Sequence, residues 1–185
     1  MPNDLREAHR KSLLLVALGW MICSSATAAA RDGACPTMPA AALTELPYGR
    51  FDTAPGQASW RTLLNRGCID MAVATLDAYR AANQARMTPE QRSELSFHIG
   101  QTLAFATREK ESIPHFEAAI NPTSTPEWVA YVNATIGFVR KDRARLDAAL
   151  AHYEKLAPGS MRLAIIRGLA ACFDRPNTEA AHCAM

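Results

Sequence analysis

Beyond the first thirty residues stand His98, His115, His152 and His182, the side chains best suited to move protons near neutral pH. Glu94 and His98 are four apart, which puts them on one helix face and would suit half of a metal site. Two ligands do not make a site, and no H-E-x-x-H occurs. Glu111 and His115 have the same spacing, as a general base with a carboxylate to orient it would. Neither pair has a nucleophile to activate, because there is no G-x-S-x-G elbow. Gly67, Gly100, Gly137, Gly159 and Gly168 are too scattered for a phosphate-cradling loop. No catalytic residue, metal or cofactor is therefore expected. A helical hydrolase working through His98 or His115 stands as the alternative to a non-enzymatic protein.

The cysteines point to a compartment instead. Arg10 and Lys11 precede an apolar run from Leu13 to Cys23, and small residues follow up to Ala28, Ala29 and Ala30. That is the pattern of a secretory signal peptide over residues 1–30, cut near Ala30. The run is far short of the roughly 20 apolar residues needed to cross a bilayer. Export leaves Cys35, Cys68, Cys172 and Cys183, an even set that favours two disulfides in a periplasmic or secreted protein. Of the three connectivities, Cys35 with Cys68 and Cys172 with Cys183 is preferred, since each pair fastens one end of the chain. A four-thiolate zinc site lacks any C-x-x-C spacing.

The 20 Lys and Arg against 18 Asp and Glu give a formal charge of +2, without the basic footprint of a nucleic-acid binder. Arg140, Lys141, Arg143 and Arg145 form the densest basic stretch, but Asp142 and Asp147 interleave with them, as in a solvated turn. No stable membrane insertion is expected once the signal is removed.

These residues must be positioned by helices. From Arg31 to Gly56 the chain is aperiodic and carries Pro36, Pro39, Pro47 and Pro55, which predicts an extended arm over residues 31–56 with one short helical turn at Ala40 to Glu45. From residue 57 apolar residues recur at three and four, as in Leu95, Ile99, Leu103 and Ala106, or Val132, Ile136 and Val139. Strand-type alternation is missing, so residues 57–185 read as an all-α domain. Thr88-Pro89-Glu90 recurs as Thr125-Pro126-Glu127, Ile99-Gly100 as Ile136-Gly137, and Phe116-Glu117 as Tyr153-Glu154, each pair 37 apart. Each Thr-Pro-Glu is a helix start: a capping hydroxyl, a proline in the first turn and an acid at the positive end of the dipole. Two helix–turn–helix units follow, at about 88–122 and 125–158. Pro114 predicts a late start for the second helix of the first unit, near Ser112.

This unit resembles the tetratricopeptide repeat family in a divergent form. Gly100 and Gly137 stand where that family has the glycine of its first helix, Ser112 and Ala149 where it has a small residue, and Phe116 and Tyr153 where it has an aromatic. Pro122 and Pro158 sit near its closing proline. The 37-residue spacing exceeds the family's repeat of about 34, and Ser96 and Asn133 fill its tryptophan-type position. Residues 66–72 form a weak earlier half-match, and a helix from Met161 to Phe173 would cap the array.

The resemblance implies a short right-handed stack of antiparallel helix pairs, an α-solenoid with first helices lining a concave groove. Its groove positions carry over to Glu94, Phe97, Gln101, Ala104 and Phe105 in one unit, and to Tyr131, Ala134, Phe138, Lys141 and Asp142 in the next. Gln101, Phe105, Tyr131, Phe138 and Lys141 are the candidates for partner contact. The matched lysines and asparagines with which some members hold a terminal carboxylate are missing. The function so implied is a scaffold or adaptor for a protein or peptide of the cell envelope. The nearly all-round apolar helix Leu163 to Phe173 predicts a buried cap or a homodimer face.

Overall fold

The computed structural model describes residues 34–180 and Cys183; the expected signal segment and its cut near Ala30 lie outside them. The described residues are all-helical, with no strand among them. No described helix is long and apolar enough to cross a membrane.

The arm is more ordered than its proline content implies. It carries α1 (Ala41–Thr44), at the one helical turn expected, and α2 (Tyr48–Asp52), so residues 48–52, expected to belong to the extended part, are helical. Burial decides this: Tyr48 and Phe51 turn inward, and Phe51 stacks on Tyr79 at 3.8 Å between ring centroids. The Tyr79 hydroxyl donates to the Leu46 carbonyl and the Asn83 amide donates to that of Thr44. After the arm come α3 (Trp60–Asn65) and α4 (Ile69–Asn83), and it is to α4 that the arm is bonded. Cys35 and Cys68 form a disulfide at a Cα separation of 5.6 Å, tying the start of the arm to the start of α4. Cys172 and Cys183 pair likewise at 6.2 Å at the other end. Both pairings are the preferred ones, and both are compatible with an oxidising compartment.

Four helices make the centre: α5 (Pro89–Phe105), α6 (Glu109–Ala118), α7 (Pro126–Val139) and α8 (Arg143–Leu156). Thr88 and Thr125 cap α5 and α7 by accepting from the third backbone N–H of each helix, and Thr88 forms a full capping box with Gln91. Asp142 caps α8 the same way. After α8, Ser160 caps α9 (Met161–Ala171), which packs on α7 and α8, and α10 (Asn177–Ala180) follows. The strongest packing is between α5 and α6 and between α7 and α8.

Two details depart from the sequence reading. Helix α6 begins at Glu109, so Pro114 lies inside it rather than in its first turn. Pro114 and Lys110, whose carbonyl the proline leaves without an in-helix donor, are both at exposed positions, where solvent can take the bond that the ring removes. The 37-residue spacing holds for the starts of α5 and α7, but the turns that follow, with left-handed Thr107 (φ 59°) and Lys141 (φ 57°), are 34 apart. Helix α5 is three residues longer than α7, 17 against 14.

The glycines show the consequence. A Cβ on Gly137 would lie 2.7 Å from the Leu146 amide nitrogen and 3.0 Å from its Cα, so α7 and α8 touch backbone to backbone. A Cβ on Gly100 would meet the Phe116 ring first, at 2.9 Å. Gly137→Ala should therefore cost stability, by about 1–3 kcal/mol of overpacking less a gain of up to about 1 kcal/mol in helix propensity. Gly100→Ala should cost less, because a ring yields more readily than a backbone. Urea denaturation of both variants reads the order directly; equal midpoints would contradict it.

Candidate functional site

The expected groove face is divided in two, and half of the residues proposed for it are buried. At the C-terminal ends of α5 and α7 the chain's own C-terminal segment lies across it. Helix α10 packs against α5, and Phe173 meets Phe138 edge-on at 6.4 Å. Phe138 is fully buried, so its assignment to an open groove is corrected. Lys141 is committed too: its ammonium donates to the carbonyls of Phe173 (2.7 Å) and Arg175 (2.6 Å) and sits 4.1 Å from the Phe138 ring. It ties down the turn that follows α9, and partial burial pushes its pKa down against Asp174 and Glu109. Gln101 and Phe105 are half-buried. Phe97, Ala104 and Ala134 belong to the core.

At the N-terminal ends of α5, α7 and α9 the face is open. A cavity of about 200 Å³ is lined there by Glu90, Ser93 and Glu94 from α5, Thr125 and Trp128 from the start of α7, and Arg162 from α9; Asn121, Thr123 and Ser124 complete its rim. Trp128 is its fixed wall. The indole N–H is shared between Ser93 Oγ and the Ala119 carbonyl, both at 2.8 Å, and Ser93 Oγ in turn donates to that carbonyl. Behind Trp128 the rings of Phe97 and Tyr131 stack in a tilted cluster, centroids 5.2–5.9 Å apart. Tyr131 is therefore a support beneath the face and not a contact residue, 7% exposed. Burial pushes its phenol pKa up, against the pull of nearby Arg162.

The charges around the cavity are of both signs. The Arg162 guanidinium lies 5.1 Å from the Trp128 ring centre and 5.5 Å from that of Tyr131, and has no carboxylate partner within 4.0 Å among the described residues. Glu90 is held ionised by its own backbone N–H, then by the Thr88 and Thr123 hydroxyls, which lower its pKa. Glu94 faces both the cavity and the Tyr48 hydroxyl, whose pKa is pushed up by burial and then by the Glu94 and Asp52 carboxylates. A wider depression of about 480 Å³, lined by Arg80, Arg92, Ser96 and Pro122 among others, has no aromatic wall.

The histidines singled out by spacing go elsewhere. His98 does not join Glu94 but turns to the arm, its Nε2 3.2 Å from Asp52 Oδ1 and its ring 4.9 Å from that of Trp60. Asp52 also receives a two-pronged bond from Arg61 at 2.8 and 2.9 Å. Among the described residues neither ring nitrogen of His98 finds an aligned hydrogen bond, and both are buried. His115 does not pair with Glu111, whose carboxylate is taken by Arg108 at 2.6 and 2.8 Å. His115 is half-buried, and its pKa is lowered by burial and by Arg80, with Asp77 opposing. No group of three metal-ligating side chains occurs among the described residues.

Sequence reasoning found Glu94 but missed Trp128, Arg162 and Asp52. Trp128 follows the Thr125 cap by three residues, and that capped start was the signal that would have placed it at the mouth of the face. Arg162 likewise lies in the first turn of a capped helix, two residues after the Ser160 cap. Comparison of the chain with protein-family models, characterised proteins and solved structures gave no match.

Burial raises the Asp52 pKa, but His98 and Arg61 outweigh it and the carboxyl ends below its ordinary value. A lowered folded pKa contributes stability above the unfolded value of about 3.9, which is lost as pH falls through the folded one. Asp52→Asn should accordingly lower stability at pH 7 by about 1–2 kcal/mol. The gap between parent and variant in urea should close in acid; a gap that stays constant down to pH 2 would contradict the ionic role of Asp52.

Proposed function

We propose that this protein is an exported interaction module of divergent tetratricopeptide-like build. It acts as a non-enzymatic scaffold or adaptor, taking a protein or peptide of the cell envelope on the face shared by α5, α7 and α9. The observation that carries the reading is the cavity walled by Trp128, Glu94 and Arg162. It combines an anchored aromatic with unpaired charge at a surface, the composition that interaction sites favour. The capped starts of α5 and α7 at a 37-residue spacing, each helix paired with the next across a short turn, support the repeat reading. Export is supported by the signal pattern of residues 1–30 and by the two disulfides. Against the hydrolase alternative, His98 is packed beneath the arm and His115 lacks its orienting carboxylate.

The test is a crosslinking pull-down from periplasmic extract with the oxidised protein, the Arg162→Glu variant and a His98→Asn/His115→Asn double variant. Arg162 is exposed and makes no hydrogen bond among the described residues, so its replacement should leave the circular dichroism spectrum intact. One partner held by the parent and the histidine variant, and at least tenfold depleted with Arg162→Glu, is the expected result. Capture that ignores Arg162, or depends on the histidines, would overturn the proposal.

A further inference from the structure

The cavity at the open end of the face is also specific in what it can hold. At about 200 Å³ it is below the roughly 300–1,000 Å³ of pockets for drug-sized ligands. It suits one small molecule or one residue. Its walls carry opposite charges that do not cancel one another: Glu90 and Glu94 come from α5 and Arg162 from α9, with no ion pair within 4.0 Å between the two sides. A purely cationic ligand would face Arg162 and a purely anionic one would face both glutamates; each leaves one charged wall unmatched. Arg162 presents a planar fork of donors, the geometry that takes a carboxylate on two bonds. It is steered toward the cavity by lying over Trp128 and Tyr131. Trp128 cannot swing away, because its N–H is bound to Ser93 and the Ala119 carbonyl. It leaves an apolar surface for an aliphatic side chain.

We infer that the cavity walled by Glu94, Trp128 and Arg162 binds an α-amino-acid zwitterion, free or as the ends of a very short peptide. Its carboxylate is held by Arg162, its ammonium by Glu94 with Glu90 beside it, and its side chain lies on Trp128. The inference rests on the placement of the ligand site at this cavity in the proposed function, and adds a small-ligand subsite to that interaction face.

Isothermal titration calorimetry on the oxidised protein with leucine, leucylglycine, N-acetylleucine and leucinamide separates the possibilities. Leucine should bind, and removal of either charge, in N-acetylleucine or leucinamide, should weaken binding at least tenfold. Leucylglycine binding as tightly as leucine would assign the site to short peptides; weaker binding would assign it to the free amino acid. Arg162→Gln and Glu94→Gln should each weaken leucine at least tenfold, with the circular dichroism spectrum unchanged. Leucine failing to bind at millimolar concentration, or the capped compounds binding equally well, would overturn the inference. If that failure comes with a protein partner still lost in the Arg162→Glu pull-down, the interaction face stands and only the ligand class falls.

Discussion

The contact on which the architecture turns is that of Gly137 with the backbone of α8. With no side chain at that position, α7 approaches Leu146 closely enough that a single added carbon would collide with main-chain atoms. This closeness lets Ile136, Phe138 and Leu146 share one fully buried layer with Phe116 and Ile166. Helix α7 lies at the centre of that layer, in contact with α6, α8 and α9. The equivalent place in the earlier pair is filled by the Phe116 ring against Gly100, a looser arrangement in which α5 extends one turn further.

Because α7 is buried along most of its length, only its first turn reaches the open face, and that turn carries Trp128. The rest of the face is closed by the chain itself. At one end the arm brings Asp52, and α3 brings Trp60, over His98; at the other Phe173 and the Lys141 ammonium close over Phe138. Each closing segment is tied by a disulfide, Cys35 to Cys68 and Cys172 to Cys183. The bridges do more than staple loose ends, for they hold the segments that determine how much of the face stays accessible.

The helix starts were the most legible part of the sequence, since a capping Thr, Pro and Glu act locally and the structure keeps both copies. The disulfide pairing was legible from chain position. The division of the face was not. Phe138 and Tyr131 occupy positions that local periodicity cannot distinguish from exposed ones, and they pack against residues distant in the chain: Phe173, 35 residues after Phe138, and Phe97, 34 before Tyr131. The short helix at Tyr48–Asp52 escaped for the same reason: Pro47 and Gly49 favour a turn, and only stacking of Phe51 on Tyr79 overrides them. Glu94 was found because its helix position needs no tertiary information, whereas its partners across the cavity come from other helices.

The central claim is that the accessible chemistry lies at the N-terminal ends of α5, α7 and α9. It is tested most directly by following backbone amide and Trp side-chain resonances of the ¹⁵N-labelled protein as leucine is added. The account predicts shifts concentrated at Glu90 to Glu94, Thr123 to Trp128 and Arg162, with the Trp128 indole N–H among them and the Trp60 indole N–H still. Shifts centred instead on His98 and Trp60, or on the covered region around Phe138 and Lys141, would contradict it.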